Sequence, residues 1–386
     1  MTARICILEI FSGAGGFSAS IDRKRFQLAG AVDSDGKALT VYHNNNPGTP
    51  LIECDVRNVA DFRTLVDKRC SILIAGPPCQ GFSVVGMKTK RKLAEKQAYD
   101  SRTDPRNMLP LEISRAAALV KPDIVITENV PAMNGHIILH DGSEMSVTSL
   151  LSQKLEETGY HVTEPFMLDS SKLGISQRRR RTFMVASLHE PVDAEYFIRA
   201  QSKFFEYTGV RTVWDAIGGL EHIPTVPPGQ EFSAAFPDHI SRIPNTDDLK
   251  IIAALRQEEN YSTLLKRLPE VVEDRAHKIY STKSFHDKFY RLKWASPSRT
   301  IVAHLAKDGN SFIHPSRNRS ISVREAARIQ SFPDAFRFGQ KMTTAFRLIG
   351  NAVPPRMGRF VIETAAEACG LIKESKEPHV RILNPQ

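Results

Sequence analysis

The first 190 residues alternate short apolar runs with helical patterns, and this alternation constrains the fold more than any other feature. The runs that predict buried strands are Ile5–Ile10, Leu28–Val32, Ile72–Ala75, Ile124–Thr127 and Arg181–Ala186. The patterns that predict helices are Lys37–His43, Met108–Val120 and Val147–Glu157. Strands alternating with helices predict an α/β fold with a mainly parallel sheet covered by helices on both faces. Such sheets bind ligands beyond the carboxyl ends of their strands.

The alternation ends near residue 190, where prolines interrupt the chain. We therefore expect a first domain at 1–190 and a smaller, irregular domain at 191–339. A helical pattern returns at Arg356–Lys373 and predicts that 340–386 completes the first domain. Gly350-Asn351 before Pro354-Pro355 predicts a tight turn into that helix.

Composition favours a polyanionic partner. Lys and Arg total 52 against 43 Asp and Glu, a formal charge of +9, which is typical of proteins that bind nucleic acid. The five cysteines are widely spaced, so neither a zinc site nor a disulfide framework is expected. The N-terminus leaves no room for a signal peptide, and no apolar run approaches the ~18 residues of a membrane span. A soluble, intracellular protein is expected.

A glycine-containing loop, Phe11–Phe17, follows the first predicted strand directly. Glycines allow close backbone approach to a ligand, and a following helix would offer free N–H groups. The dinucleotide fingerprint needs a third glycine at position 18, which is Ser18. Asp33 ends the second strand, where a carboxylate can accept hydrogen bonds from ribose hydroxyls, and Asp55 is placed to reach an adenine amino group. Together they predict a nucleoside pocket without a pyrophosphate, although each acid alone is typical of a helix cap.

Cys79 follows the strand Ile72–Ala75 in the run Gly76-Pro77-Pro78-Cys79. This position at a strand end is typical of a nucleophile, whereas most cysteines are inert core residues. Glu128 follows another apolar strand at the same predicted sheet edge, where a raised pKa would suit a proton donor. No histidine shows an evident pairing with Cys79, so attack on an electron-poor heterocycle is favoured over hydrolysis.

These motifs, in this order, resemble those of the bacterial DNA cytosine-5 methyltransferases over nearly the whole chain. The similar segments are the loop 11–17, Pro77-Pro78-Cys79-Gln80, Glu128-Asn129-Val130, Gln177-Arg178-Arg179-Arg180-Arg181, 324–333 and Gly350-Asn351-Ala352-Val353-Pro354. The resemblance implies the Rossmann-like fold of S-adenosylmethionine-dependent methyltransferases. It also implies that 1–190 with 340–386 binds cofactor and catalyses, and that 191–339 is the target-recognition domain and hinge.

The resemblance implies roles for individual residues. The expected catalytic residues are Cys79, Glu128, Arg179 and Arg181. The expected cofactor-binding residues are Phe11, Ser12, Gly13, Gly15, Gly16, Asp33, Ser34, Asp55, Val56, Pro78, Leu109, Asn351 and Ala352. The expected DNA contacts are Gln80, Ser83, Lys88, Lys90, Arg91 and Gln177. For Arg178 and Arg180, a DNA contact and a solvated basic turn are equally open.

The implied reaction methylates C5 of cytosine in a specific double-stranded DNA sequence. Cys79 would add to C6 of a flipped-out base, S-adenosylmethionine would donate the methyl group, and S-adenosylhomocysteine would be released. No metal and no membrane are expected, and the enzyme is expected to be a monomer in the bacterial cytoplasm, on the nucleoid when bound to DNA. The sequence leaves open the recognised site, and whether the enzyme serves restriction-modification, another defence system or neither.

A polar stretch at 84–106 starts close to Cys79 and predicts a lid over the flipped base, since long loops in compact domains are usually functional lids or disordered. It carries three acids and seven basic residues, which are Lys88, Lys90, Arg91, Lys92, Lys96, Arg102 and Arg106.

Three rival functions remain to be weighed against this prediction. A transfer-RNA cytosine methyltransferase of the same fold would need little target-recognition domain, whereas about 150 residues separate the arginine motif from the final motif. A catalytically inactive binding protein would be expected to lose Cys79 or Glu128. A dinucleotide oxidoreductase is disfavoured by Ser18.

Overall fold

The computed structural model describes residues 4–66, 69–78, 100–230, 236–272, 288–307 and 309–373. The chain forms two compact units. The first, here the sheet unit, comprises Met1–Leu173, Arg180–Gly209 and Pro355–Gln386, and the second, the insert unit, comprises Gly174–Arg179 and Val210–Pro354. The predicted assignment of 1–190 with 340–386 to catalysis, and of 191–339 to target recognition, stays a prediction.

The sheet unit is built on an eight-stranded sheet within the described residues. The strands in chain order are β1 (Ile5–Ile10), β2 (Phe26–Asp33), β3 (Leu51–Glu53), β4 (Ile72–Ala75), β5 (Ile124–Asn129), β6 (Ile137–His140), β7 (Ser143–Ser146), β8 (His161–Val162), β9 (Phe166–Asp169) and β10 (Arg180–Ser187). The sheet order is β3-β2-β1-β4-β5-β10-β8, with β9 also paired to β10, while β6 and β7 form a separate hairpin. Strands β1 to β5 are parallel and β10 is antiparallel to β5, which confirms the predicted mainly parallel sheet.

Helices cover both faces of this sheet. The described helices are α1 (Gly36–Asn45), α2 (Leu111–Val120), α3 (Val147–Glu156), α4 (Ala194–Thr208), α5 (Val213–Ile217), α6 (Thr246–Ala254), α7 (Tyr261–Arg267), α8 (Val323–Ile329), α9 (Met342–Asn351) and α10 (Pro355–Ala368). On one face, Leu8 of β1 shares an apolar cluster with Ile113 of α2 and Leu151 of α3. On the other face, Glu9 of β1 interacts with Tyr42 of α1.

Two predicted local features are wrong. The helix predicted from Met108 begins at Leu111, because Pro105–Met108 forms a 3-10 turn and Pro110 occupies the N-cap. The turn predicted at Gly350-Asn351 is the last turn of α9. Gly350 is required by packing instead, since a Cβ on it would lie 2.2 Å from the backbone nitrogen of Ala303.

The insert unit packs short helices and irregular segments around a small apolar cluster and several buried charged groups. Its helices α6 and α7 enclose Ile252 and Leu264 with Phe289 and Ile313. Arg324 is fully buried and donates to the carbonyls of Pro237, Pro333 and Phe336 and to the Asp238 carboxylate. Irregular backbone is therefore satisfied here by a charged side chain rather than by a ladder of strands.

Candidate active site

The loop after β1 is tied to the carboxyl end of β2. The Ser12 backbone nitrogen donates to the Val32 carbonyl (3.1 Å), and that of Gly13 donates to Asp33 Oδ2 (2.7 Å). Phe11 has a φ of +54°, an uncommon conformation for a non-glycine residue that recurs at functional sites. Gly13 also has a φ of +54°, and no atom lies within 4 Å of a Cβ built on it. The loop thus leaves open space beside the Asp33 carboxylate.

The second half of the loop packs directly on α1. Gly15 and Gly16 are buried, and Gly15 has a φ of +85°. A Cβ on Gly15 would lie 2.9 Å from Ser18 Oγ and 3.0 Å from Tyr42 Cδ2. Only glycine therefore fits here, because both the backbone conformation and the space exclude a side chain.

Asp33 has the acceptor chemistry that a ribose needs. Burial raises the pKa of its carboxyl, while backbone N–H groups of Asp35 and Gly13 act to lower it. Asp35 N donates to Oδ1 (2.9 Å) and Gly13 N to Oδ2. A carboxylate offers about four lone-pair positions, so these two donors leave others for ribose hydroxyls. The residues present therefore fit a nucleoside cofactor at this point.

Asp55 lies after β3, where its carboxylate stabilises the local backbone. It caps the 3-10 turn Val56–Asn58 and accepts from Arg57 N (3.0 Å) and Arg57 Nε (2.9 Å). Hydrogen bonds from the Arg57 side chain lower the pKa of Asp55 to about 2. The carboxylate is therefore charged and already accepts hydrogen bonds from Arg57, and its contact with adenine stays a prediction.

The other predicted cofactor residues lie in varied surroundings, and their contacts stay predictions. In the sheet unit, Ser34 and Pro78 are exposed, Val56 is buried, and Leu109 packs beside the apolar cluster of the sheet. In the insert unit, Asn351 is exposed, and the carbonyl of half-buried Ala352 accepts from an arginine.

Glu128 and Arg181 form an ion pair at the carboxyl edge of the parallel strands. Arg181 Nε lies 2.8 Å from Glu128 Oε1, and the side chains are 13% and 11% exposed, respectively. Because β10 runs antiparallel to β5, its beginning meets the end of β5 and brings the two residues together. Gly76, after β4, lies beside this pair, since a Cβ built on it would be in ordinary contact with Glu128 Oε2 at 3.6 Å. Two of the four residues predicted to be catalytic thus lie together in one largely enclosed position.

Asn129 is a residue whose role the sequence motif did not reveal. Its side chain is buried, its Nδ2 donates to the Pro77 carbonyl (3.1 Å), and its Oδ1 accepts from Val130 N (2.8 Å). The amide therefore fixes the segment leading to Cys79 against the end of β5. Its place beside Glu128 was the available signal.

The predicted nucleophile and several DNA contacts lie outside the described residues. They are Cys79, Gln80, Ser83, Lys88, Lys90 and Arg91. Of the predicted lid, residues 100–106 are described and form two 3-10 turns, each with an Asp–Arg ion pair. The closing motion of the lid stays a prediction.

The arginine run alternates between buried and exposed side chains. Arg179 is 2% exposed and donates to the carbonyls of Ile301 (2.7 Å), Gly350 (2.9 Å) and Ala352 (3.1 Å). A residue enclosed in this way holds backbone in position, and the predicted catalytic role of Arg179 stays a prediction. Arg178 is exposed.

Gln177 is fully buried, with its amide bonded to Gln330 and to Ile301 N. Its predicted contact with DNA therefore has no geometric support. Arg180, in the sheet unit, is exposed, and its Nε lies 3.6 Å from Asp169 Oδ2.

Neither a metal-binding cluster nor a membrane-spanning helix occurs among the described residues. No group of three or more His, Cys, Asp or Glu side chains there could hold a metal ion. No helix of that part of the chain combines the length and apolar character needed to cross a membrane.

Comparison with known proteins gives matches along most of the chain. The profile of the C-5 cytosine-specific DNA methylase family matches residues 5–367. Type II methyltransferase M1.BsuMI of Bacillus subtilis is 30% identical over 92% of this chain and 79% of its own. Type II methyltransferase M.AgeI of Thalassovita gelatinovora is 26% identical over 92% of this chain and 98% of its own.

Solved structures share the fold. A prophage-encoded Escherichia coli protein, described as a DNA modification methyltransferase, has a TM-score of 0.68 at 20% identity, covering 95% of this chain and 99% of that one. The Dnmt2 methyltransferase of S. pombe has a TM-score of 0.60 at 15% identity, covering 94% and 99%. The predicted Rossmann-like fold is confirmed.

Proposed function

Because the chain belongs to the C-5 cytosine-specific DNA methylase family, and is a DNA cytosine-5 methyltransferase, we propose that it methylates cytosine within a specific double-stranded sequence using Cys79. The observation that carries the proposal is the Glu128–Arg181 pair, at the edge where Asn129 holds the segment leading to Cys79. A transfer-RNA substrate is less well supported, since the matching family is described by its action on DNA.

The chemistry begins with activation of the base. C5 of cytosine is a weak nucleophile, so the Cys79 thiolate adds to C6 and converts the ring into an enamine, whose C5 can form the new bond to a methyl group. Glu128 donates a proton to N3 and accepts a hydrogen bond from the exocyclic amine, which stabilises the charge that develops there. Arg181 orients the Glu128 carboxylate and holds O2 of the base. Bound S-adenosylmethionine supplies an electrophilic methyl group. Loss of the C5 proton and elimination of Cys79 then give 5-methylcytosine.

The cofactor proposal rests on the loop after β1 and on Asp33. S-adenosylmethionine has a ribose and no pyrophosphate, which suits a glycine loop that lacks the third glycine of the dinucleotide fingerprint. Asp33 accepts hydrogen bonds from the ribose hydroxyls, and the open space at Gly13 admits the cofactor beside it. S-adenosylhomocysteine is the product.

The DNA substrate sets further requirements. The target base has to leave the stack to reach Glu128, at a cost of a few kcal/mol that phosphate contacts offset. We place the enzyme in the bacterial cytoplasm as a monomer that acts without a metal. The relatives named Type II methyltransferases favour a role in restriction-modification.

Bisulfite sequencing of DNA from cells that express the protein tests the proposal. The expected result is methylation of cytosine in one short sequence, abolished by Cys79→Ser and retained by Cys369→Ser. The wild type should also become covalently attached to DNA containing 5-fluorocytosine, because proton loss is blocked. Methylation confined to transfer RNA, or near wild-type activity of the Cys79→Ser variant, would contradict the proposal.

A further inference from the structure

Gly358 lies where α10 packs against the end of the cofactor loop, residues 11–17. A Cβ built on Gly358 would lie 3.0 Å from both the Cα and the Cδ1 of Phe17, and 3.3 Å from the Phe17 carbonyl oxygen. Carbon atoms in contact are usually about 3.5–4.0 Å apart, so a methyl group at this position would have to displace its neighbours. The glycine therefore lets the backbone of the helix approach the backbone of the loop directly.

Phe17 also reaches the catalytic edge, the end of the sheet at Gly76 and Glu128. A Cβ built on Gly76 would lie 3.9 Å from Phe17 Cε2 and 3.6 Å from Glu128 Oε2. Cδ1 and Cε2 are opposite atoms of a phenyl ring, so Gly358 and Gly76 lie towards opposite ends of the Phe17 ring. Phe17 is buried in the core of the sheet unit. One buried ring thus spans the distance from α10 to the segment leading to Cys79.

Contacts elsewhere along α10 hold this helix in place. The Phe360 ring packs edge-on against the Phe204 ring of α4, with 5.9 Å between the ring centroids. Every residue from 357 to 366 is buried. Because protein interiors are densely packed, a methyl group added at Gly358 is expected to displace Phe17 rather than the whole helix.

We propose that Gly358 and Phe17 are positioning residues that fix the cofactor loop relative to the catalytic edge. The inference rests on the proposed function and deepens it, because neither residue belongs to the predicted catalytic or cofactor-binding sets. Group transfer needs aligned reacting atoms, and a misplacement of about 1 Å can cost about 10²-fold in rate. A methyl group at Gly358 would shift the loop by a few tenths of an ångström. Because Gly76 has no side chain, the shifted ring would not press on the catalytic edge itself.

The turnover number separates a positioning role from a binding role. In Gly358→Ala, methylation at saturating DNA and cofactor should become roughly tenfold slower, since the expected shift is a fraction of 1 Å. Calorimetry should show a nearly unchanged dissociation constant for S-adenosylmethionine, because the hydrogen bond from Gly13 N to Asp33 is retained. Thermal unfolding of the cofactor-free protein sets an assay temperature at which every variant is folded.

Exchange of the C5 hydrogen of cytosine with water, measured without cofactor, reports activation of the base alone. When Cys79 adds to C6, C5 can take up a proton from water. Loss of the original C5 hydrogen and elimination of Cys79 then restore cytosine. Gly358→Ala should release tritium from C5 of target DNA at nearly the wild-type rate. This variant would thus activate the base normally and transfer the methyl group slowly.

Gly135→Ala is the matched control. It adds the same methyl group to an exposed glycine of the sheet unit, where no atom lies within 4 Å of the new Cβ. Turnover, cofactor affinity and exchange should all stay unchanged. Phe17→Leu shortens the side chain that reaches Gly76, so it should also lower turnover and retain exchange. In the double variant with Gly358→Ala the two losses should not multiply, because both changes act on the same contact.

Wild-type turnover in Gly358→Ala would overturn the inference, and so would an equal loss in Gly135→Ala. A parallel loss of methylation and exchange would overturn it too, because the defect would then lie in base activation. A loss confined to cofactor affinity, with normal turnover at saturation, would likewise overturn it by assigning Gly358 to binding. Failure of the wild type to methylate DNA in the bisulfite experiment would overturn the proposed function instead.

Discussion

Glu9 in the sheet unit and Glu325 in the insert unit are both buried, yet their carboxyl pKa values move in opposite directions. Burial raises the pKa of Glu9 to about 7, and the hydroxyls of Tyr42 and Ser18 offset only part of the rise. Burial acts to raise the Glu325 pKa too, but two hydrogen bonds from Arg319 (2.7 and 2.8 Å) outweigh it and the pKa is about 2. Burial alone therefore does not decide whether a carboxyl is charged.

The difference follows from how each unit satisfies its backbone. In the sheet unit, the backbone groups of the strands hydrogen-bond to one another. A buried side chain such as Glu9 therefore depends on neighbouring side chains for its hydrogen bonds. In the insert unit, irregular segments leave carbonyls that arginines must satisfy. Arg179 and Arg324 each donate to three of them. Buried charge thus stabilises the insert unit and is tolerated in the sheet unit.

The largest effect is expected from breaking the Glu325 pair. Arg319→Gln leaves a buried carboxylate without its cation, which typically costs about 3–5 kcal/mol of the free energy of unfolding. Denaturant unfolding measures this loss. The control, Arg63→Gln, breaks an exposed pair and should leave the free energy of unfolding nearly unchanged. If both variants unfold alike, paired charge is no more important in the insert unit than on the surface.

The neighbouring arginines 178 and 179 give a closer comparison. Arg179→Ala leaves the carbonyls of Ile301, Gly350 and Ala352 without their donor, and we expect a loss of about 3 kcal/mol or more in the free energy of unfolding. Arg178→Ala should change it by less than about 0.5 kcal/mol, because the side chain is exposed. If thermal unfolding shows the same loss of free energy of unfolding for both variants, burial does not determine how much each arginine contributes to stability.

Much of the sheet unit could be predicted from sequence, because apolar periodicity and strand order determine which strand ends meet. The predicted bounds of β1 and β4 are confirmed, and Glu128 and Arg181 do share one edge.

Contacts between distant segments could not be predicted. From sequence alone Gly350 is predicted to lie in a turn, whereas in the structure the backbone of Ala303 packs against it. The hydrogen bond from Asn129 to Pro77 joins residues 52 positions apart. The sequence around Gly350 and Asn129 does not identify the partner of either residue, because the partner is determined by tertiary packing. The insert unit as a whole depends on such contacts between distant segments, and its sequence has little apolar periodicity from which helices or strands could be predicted.

A smaller effect is expected from the titration of Glu9. Its folded pKa of about 7 exceeds the ordinary 4.5, so the folded state keeps a proton that the unfolded state loses. Stability is fully present below pH 4.5 and falls as pH rises to about 7, by up to about 3 kcal/mol. Glu9→Gln should therefore be more stable than the wild type at pH 8, with the gain shrinking towards pH 5. Exposed Glu190→Gln should not change the pH profile, and a wild-type profile for Glu9→Gln would contradict the raised pKa.

The smallest effect concerns Asp33, which lies near Glu9 in the sheet but faces the cofactor loop. Asp33→Ala removes a partly buried acceptor, so calorimetry should show weaker binding of S-adenosylmethionine by about 1.5–3 kcal/mol, or roughly 10- to 150-fold. Affinity for DNA should be nearly unchanged, because the predicted DNA contacts lie elsewhere in the chain. Asp33→Asn can still accept from Gly13 N and keeps the loop in place, so a comparable loss in this variant would assign the effect to the ribose. Unaltered cofactor affinity in both variants would exclude Asp33 from the pocket and leave its buried carboxyl, like that of Glu9, as a group the sheet merely tolerates.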